Sequence, residues 1–333
     1  MAVAHPCRQR LRASDPSSIE TARVDRHPYG AGTKRRDRTT SVVQPSRSTA
    51  PSSARAPGAF ALVGPGRAGM TLAVALTARG WTPVAVAGRR VDAPSTVAAA
   101  ARLGATATSV ADAGRSADLV LVATPDAAIA EAAAALAPGL RPGALVVHLS
   151  GACPLDELDK LAVQRPDVVL GALHPLQSLP SIEVGVERLP GSWCAIEGPP
   201  AVERLALTLG LRPFRVEAGE RARYHAAATI ASNHLVALLG QALRVADTAG
   251  VPAEALLPLV RASVDNVDAL GDAGALTGPV ARGDVDTVIR HLDALPDDER
   301  AAYRALAAQA LRLSGRDDAT LRALLEDGGD RAS

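Results

Sequence analysis

Four short polar clusters in this chain hold side chains able to grip a substrate and move a proton: His148-Leu149-Ser150-Gly151, His174-Pro175-Leu176-Gln177-Ser178, Tyr224-His225 and Ser232-Asn233-His234. Imidazole exchanges a proton near neutral pH, and the proline after His174 restricts the direction of that side chain. His174 and His225 are therefore the candidate proton donor or acceptor, with Ser150 and Asn233 as hydrogen-bonding partners for a reacting oxygen. Gln177 and Arg282 are candidate substrate contacts, Arg282 as a clamp on an anionic group. Plainer roles compete with each. His174 could be a satisfied surface or core residue and Ser150 a turn residue. His225, Thr229 and Asn233 recur at i, i+4 and i+8 on overlapping helical faces, which also suits polar helix packing. Arg282 could pair with Asp284 or Asp286.

A second constellation concerns phosphate. Phe60-Ala61-Leu62-Val63 runs into Gly64-Pro65-Gly66-Arg67-Ala68-Gly69 and then into a helix-forming stretch. In such a turn the first glycine permits the tight bend, the second lets backbone N–H groups approach a pyrophosphate, and the third lets helix and strand pack closely. Gly64, Gly66, Arg67, Ala68 and Gly69 are thus expected to bind a dinucleotide. An NAD site usually adds an acidic residue about 20 positions later for the ribose 2′-hydroxyl, but no acid occurs from Met70 to Val91. Gly88-Arg89-Arg90 stands there instead. Two guanidinium groups suit a 2′-phosphate, so the expected cofactor is NADP(H); the alternative is that Arg89 and Arg90 are solvated loop charges. Thr124-Pro125-Asp126, at another expected strand end, completes the cofactor-binding set, although Asp126 also suits a helix start.

The elements that must position these groups are legible as alternating apolar strand and helix patterns. Strands are expected near 59–64, 82–87, 104–108, 118–124, 143–149, 167–173, 193–197 and 212–216, mostly separated by Ala- and Leu-rich helical stretches. This pattern describes an α/β fold with a doubly wound parallel sheet. From residue 220 the strand signal ends, and helical runs at 222–249, 253–270, 285–295 and 298–313 describe an all-helical C-terminal domain. In an open parallel sheet, ligands bind beyond the carboxyl ends of the strands, where Thr124, Ser150 and His174 fall.

The 333-residue chain has room for two domains, and its formal net charge is +1. Residues 1–58 differ from the rest, with ten Arg and one Lys against four acids. That segment lacks apolar periodicity and is expected to be a disordered basic tail over 1–57. The dinucleotide-binding domain is placed at 58–218 and the helical domain, for substrate and dimerisation, at 219–330. Three cysteines without metal-ligand spacing suit a reducing cytoplasm and predict no metal site. Residues 225–242 are apolar for most of their length but contain Ser232, Asn233 and His234, so a buried helix is expected there rather than a membrane span. No membrane or nucleic-acid partner is expected for the folded part.

Taken together, Gly64 to Gly69, Ala123-Thr124-Pro125-Asp126, the segments at His148, His174 and Tyr224, Ser232-Asn233-His234 and the loop from Leu276 to Asp284 resemble a family of bacterial proteins that carry the domain of unknown function 2520. The resemblance spans about 59–315. It extends in layout to the 6-phosphogluconate-dehydrogenase-like superfamily, which includes prephenate dehydrogenases, ketopantoate reductases and deazaflavin-dependent NADP reductases. The resemblance implies a Rossmann sheet, a nicotinamide cofactor, a helical C-terminal domain and a homodimer; it names no substrate. Ketopantoate reductases and β-hydroxyacid dehydrogenases use a lysine in the helical domain, but this chain has only Lys34 and Lys160, both outside that domain. The His174-Pro and Ser232-Asn-His234 segments are similar to motifs of prephenate dehydrogenases. The expected function is an NADP(H)-dependent oxidoreductase for a small anionic carbonyl or hydroxy compound. The alternative is a non-catalytic NADP-binding sensor or assembly protein.

Overall fold

A computed structural model describes residues 57–326; the expected basic tail lies outside the described residues, except for Pro57. Eight strands form one sheet: β1 (Ala59–Val63), β2 (Thr82–Ala87), β3 (Thr106–Ala107), β4 (Leu119–Val122), β5 (Leu145–His148), β6 (Val169–Pro175), β7 (Trp193–Glu197) and β8 (Arg212–Arg215). Their spatial order is β3-β2-β1-β4-β5-β6-β7-β8. Strands β1 and β4 are wholly or almost wholly buried apolar runs, as expected where helices cover both faces of a parallel sheet.

The helices between strands are α1 (Arg67–Thr77), α2 (Pro94–Leu103), α3 (Val110–Ala113), α4 (Ile129–Leu136), α5 (Asp159–Gln164), α6 (Ile182–Arg188) and α7 (Pro200–Thr208). One core layer gathers Leu72 and Leu76 of α1, Leu103 of α2 and Val202 and Leu205 of α7 against Phe60, Leu62, Leu121 and Leu173. On the other face, Ile129 and Leu136 of α4 and Leu161 of α5 cover Val63, Val120, Val122 and Val146. The sequence order reverses between β1 and β4, which opens a crevice at their carboxyl ends.

The expectation of a parallel sheet needs one correction, because β7 runs antiparallel to β6. The β6–β7 segment does not cross to the opposite end of the sheet. It leaves β6 at Pro175, forms α6 against α1 and returns beside the same strand, where the Leu176 N–H donates to the Trp193 carbonyl at 2.9 Å.

The helical region comprises α8 (Arg221–Thr229), a π-helical turn (Ile230–His234), α9 (Leu235–Thr248), α10 (Ala253–Ala275), α11 (Pro279–Arg282), α12 (Val285–Ala294), α13 (Asp297–Ser314) and α14 (Ala319–Glu326). Val280, Val288, Leu292, Leu311, Leu321 and Leu325 form its small core. The expected buried helix at 225–242 is not buried in the single chain. An 18-residue apolar window within the helical stretch 218–248 has no buried residue, and α9 and α10 contribute none. This stretch is long and apolar enough to cross a membrane by composition.

Candidate active site

The glycine turn is built against the neighbouring strand end. Gly64 has φ +89°, a conformation that favours glycine, and a Cβ there would lie 2.6 Å from the Ala123 carbonyl carbon. A Cβ on Gly69 would meet the Ala123 Cβ and the Gly64 carbonyl oxygen at 2.7 Å each. The first and third glycines are therefore packing requirements. Gly66 differs, because a Cβ there meets nothing within 4 Å. Gly66 is also the N-cap of α1 and offers no side-chain cap, so the first N–H groups of α1 are available to an anion.

This turn lines one end of a cavity of about 1000 Å³. Its wall includes Gly64, Gly66, Arg67, Ala68, Gly88, Arg89, Ser95, Thr124, Pro125 and Asp126, and it continues to Ser150, Gly151, His174, Gln177 and His225. A second cavity of about 790 Å³ shares Arg67, His174, Gln177 and His225 and adds Thr229, Ser232 and Asn233. The two sets of sequence candidates thus meet at the His174–His225 corner. The open space above Gly66 and the uncapped N-terminus of α1 fit a pyrophosphate, and the buried Thr124 hydroxyl has no hydrogen-bond partner among the described residues.

Three expectations change at this level. Arg90 turns to Asp92, donating from Nε at 2.9 Å, and it does not line the cavity; Arg89 does. The acid lies just two residues beyond the arginine, so one of the two guanidinium groups is already engaged. Arg282 is exposed at the end of α11 and lines neither cavity. It forms no ion pair among the described residues, and Asp284 instead caps α12 by accepting from the Thr287 N–H at 3.0 Å. Asp126 makes no capping bond at the helix start.

Ser150 and Gln177 line the cavity with much of their bonding capacity in use. The Ser150 hydroxyl accepts from the Cys153 N–H at 2.9 Å, as a turn residue does. The Gln177 amide donates to the Ser192 hydroxyl at 3.0 Å, and its oxygen accepts from the Ser178 N–H at 2.9 Å. Asn233 is exposed and accepts from the Ser232 hydroxyl at 2.9 Å. His234 faces a separate groove between α9 and α13.

At the His174–His225 corner, His174 Nδ1 lies 2.7 Å from the Tyr224 hydroxyl. His225 meets the His174 ring edge-on, with ring centroids 5.7 Å apart. Gly151 makes this possible: a Cβ there would lie 2.9 Å from His174 Nε2 and 2.6 Å from His225 Cδ2. Burial, the adjacent His225 and the Arg221 charge push the His174 pKa down to about 4, against a smaller opposing effect of Asp126. Burial pushes the Tyr224 phenol up to about 12, although Arg221 opposes this.

Arg221 is a site residue that the sequence expectations left out, and Tyr224 was singled out with His225 but given no role. Arg221 is fully buried and donates to the Ser150 carbonyl at 2.6 Å, with Glu197 at 3.5 Å. The ladder register places His148, Ala172 and Glu197 in one cross-strand row. The available signal was spacing, because Arg221, Tyr224 and His225 stand at i, i+3 and i+4 on one turn of α8.

The comparisons with known proteins agree with this two-part architecture. A Rossmann-like domain model matches residues 43–175, and the model described as Domain of unknown function (DUF2520) matches residues 192–310. The chain carries a Rossmann-like domain followed by a DUF2520 domain. The DUF2520 match begins before β7 and ends within α13, so it includes the last two strands and the helices from α7 to most of α13. No curated protein matches the sequence. Among solved structures, a candidate NADP oxidoreductase from Bacteroides fragilis is 26% identical with a TM-score of 0.65, covering 77% of this chain and 98% of its own. An imine reductase from Myxococcus stipitatus, bound to NAD+, is 20% identical with a TM-score of 0.51, covering 80% and 99%. A reductive aminase from Aspergillus terreus, in complex with an NADPH-derived cofactor, cyclohexanone and allyl amine, is 17% identical with a TM-score of 0.50, covering 80% and 91%. These last two share the fold alone.

Proposed function

We propose that this protein is an NADP(H)-dependent oxidoreductase that acts on a small anionic carbonyl or hydroxy compound. The observation that carries the reading is the continuity of the cavity from the glycine turn to the His174–His225 corner. A dinucleotide laid from Gly66 along this cavity would bring its reactive end to the two imidazoles. Arg89 and Ser95 in the wall, with no acid from Met70 to Val91, favour a 2′-phosphate over a free 2′-hydroxyl. The Bacteroides fragilis relative, described in terms of NADP, points the same way.

The bound nicotinamide would supply or take up a hydride. The protein must then hold the substrate, exclude water and manage one proton. His174, at the meeting of both cavities, is placed to exchange that proton, and His225 and Ser150 flank the reacting oxygen. Substrate charge is read from the second cavity, whose lining includes Arg67, His174 and His225 but no Asp or Glu.

The partner that best fits the helical region is a second copy of this chain. Val236, Leu259, Val264 and Leu270 are 54–70% exposed, and the long arm of α10 before its kink at Gly271 gains most of its stability from packing rather than propensity. A homodimer covering α9 and α10 would give these residues an interior and leave a protein suited to the cytoplasm. Sedimentation should give a dimer, and Val264→Asp should yield monomer. Monomeric wild-type protein at micromolar concentration would refute the assembly.

Function is tested by calorimetry with NADPH and NADH, followed by NADPH consumption with 2-keto acids, imines and prephenate-like acids. Tight NADPH binding without turnover of any of these would favour a sensor role over the enzyme.

A further inference from the structure

We infer that Tyr224 locks His174 in the neutral Nε2–H form, which makes this site a proton donor to a carbonyl oxygen and a poor host for an iminium cation. The inference rests on the reading of the cleft as a hydride-transfer site and names its substrate class.

The orientation of one hydrogen bond carries it. A phenol is a good donor and a weak acceptor, whereas a bare imidazole nitrogen is a strong acceptor. His174 Nδ1 is the single hydrogen-bond partner of the Tyr224 hydroxyl among the described residues. Tyr224 therefore donates its proton to Nδ1, and the one proton of the neutral ring resides on Nε2. Phe214 and His174 both meet the Tyr224 ring at 5.7 Å between centroids, which holds the phenol in this direction. The opposite edge of the imidazole lies over Gly151, where a Cβ would stand 2.9 Å from Nε2. Nε2–H thus emerges where the two cavities join.

A neutral ring is also what the surroundings select. An imidazolium here would be desolvated, with the buried Arg221 guanidinium nearby and the His225 ring packed edge-on against it. A fixed neutral N–H donor has a clear partner in a carbonyl oxygen, which offers lone pairs. An iminium nitrogen offers none, so it cannot accept this N–H; the second cavity has no carboxylate in its lining, and Asp126 and Glu131 stand in that of the first.

During reduction a hydride adds to the carbonyl carbon and the C=O π bond breaks toward oxygen. That oxygen takes the Nε2 proton while Nδ1 takes the phenolic proton of Tyr224. The ring remains neutral throughout, as its other tautomer, and the negative charge rests on the Tyr224 oxygen near Arg221. A proton from water then restores the phenol. An alkoxide is far more basic than a phenolate, so both transfers run downhill. Oxidation of an alcohol reverses each step.

Long-range 1H–15N NMR on the full chain with labelled histidine tests this without cofactor or substrate. His174 should show a protonated Nε2 and a bare Nδ1 from pH 8 to pH 5. Tyr224→Phe keeps the ring packing but removes the donor, and should give a tautomer mixture. A protonated Nδ1 in the wild type, or an unchanged tautomer in Tyr224→Phe, overturns the lock. In parallel, NADPH consumption is measured with 2-keto acids and with preformed cyclic iminium compounds. Turnover of the keto acids, reduced about 10- to 100-fold in Tyr224→Phe with NADPH affinity unchanged, supports the inference. Preferential turnover of the iminium compounds overturns it while leaving the oxidoreductase reading intact. Tight NADPH binding with no turnover of either class overturns the oxidoreductase reading and the carbonyl assignment, and the NMR result then stands alone.

Discussion

Arg221 reaches from the first turn of α8 into the sheet and donates to the Ser150 carbonyl at 2.6 Å, so one fully buried guanidinium joins the helical region to the loop after β5. The same group faces Glu197 at 3.5 Å. Burial raises the Glu197 pKa, against the opposing pull of Arg221, and burial lowers that of Arg221. The pair is therefore costly to form and more costly to break. Its position beside Tyr224 suggests why such a charge is kept: it fixes the start of the helix that carries the phenol.

Removing one member should expose that cost. Arg221→Met is expected to destabilise the protein by about 3 kcal/mol, the lower end for a broken buried pair, because Glu197 retains some solvent contact. The double variant Arg221→Met with Glu197→Gln should recover much of the loss. Urea unfolding of the single and double variants measures both, and equal stability of the two would show that Glu197 is not the partner that matters.

The two arginines after β2 should separate on binding. Arg89 lines the cavity and Arg90 is held by Asp92. Arg89→Ala is expected to weaken NADPH by about 1.5–3 kcal/mol, the scale of a charge-assisted hydrogen bond, with little effect on NADH. Arg90→Ala should leave both affinities nearly unchanged. Calorimetry that finds the larger loss in Arg90→Ala would reverse the assignment.

Gly66 and Gly69 offer a test of where the pyrophosphate lies. Gly66 has open space beside it and Gly69 does not. Gly66→Ala should fold with wild-type thermal stability and bind NADPH weakly, because its methyl projects into the cradle. Gly69→Ala should lower the melting temperature through its clash with Ala123 and Gly64. Undiminished NADPH affinity in Gly66→Ala would place the phosphates elsewhere.

The strand pattern was legible because parallel strands buried on both faces leave unbroken apolar runs such as Leu119-Val120-Leu121-Val122. The antiparallel β7 was not, because strand direction depends on whether the 176–192 segment crosses the sheet, and local composition does not encode that. Within the site, His174 and His225 stood out by residue type. Tyr224 was noted only beside His225 and Arg221 not at all, since a phenol next to an apolar helix and an arginine in an arginine-rich chain have common structural uses. Arg282 misled for the opposite reason. The sequence offers it as a clamp on an anionic group, but it ends α11 exposed and away from both cavities, and the neighbouring Asp284 starts α12.

Acid should weaken the fold through two histidines held uncharged, His148 wholly buried and His174 half-buried. His148 is wholly buried without a well-formed side-chain hydrogen bond among the described residues. Burial and the nearby Arg221 charge push its pKa down to about 4, despite the opposing carboxylate of Asp126. His174 is shifted to the same value by burial, His225 and Arg221. In the unfolded chain both return to about 6.5. Between these values the unfolded state binds more protons than the folded one, so stability must fall as pH drops from about 6.5 to about 4 and stay flat just above that window. At 1.36 kcal/mol per unit, His148 alone accounts for about 3 kcal/mol across it. Urea unfolding at pH 7.5 and at pH 4.5 should show the loss, and His148→Leu should reduce it by nearly half. If His148→Leu retains the full wild-type pH dependence, then His148 is not the group that titrates.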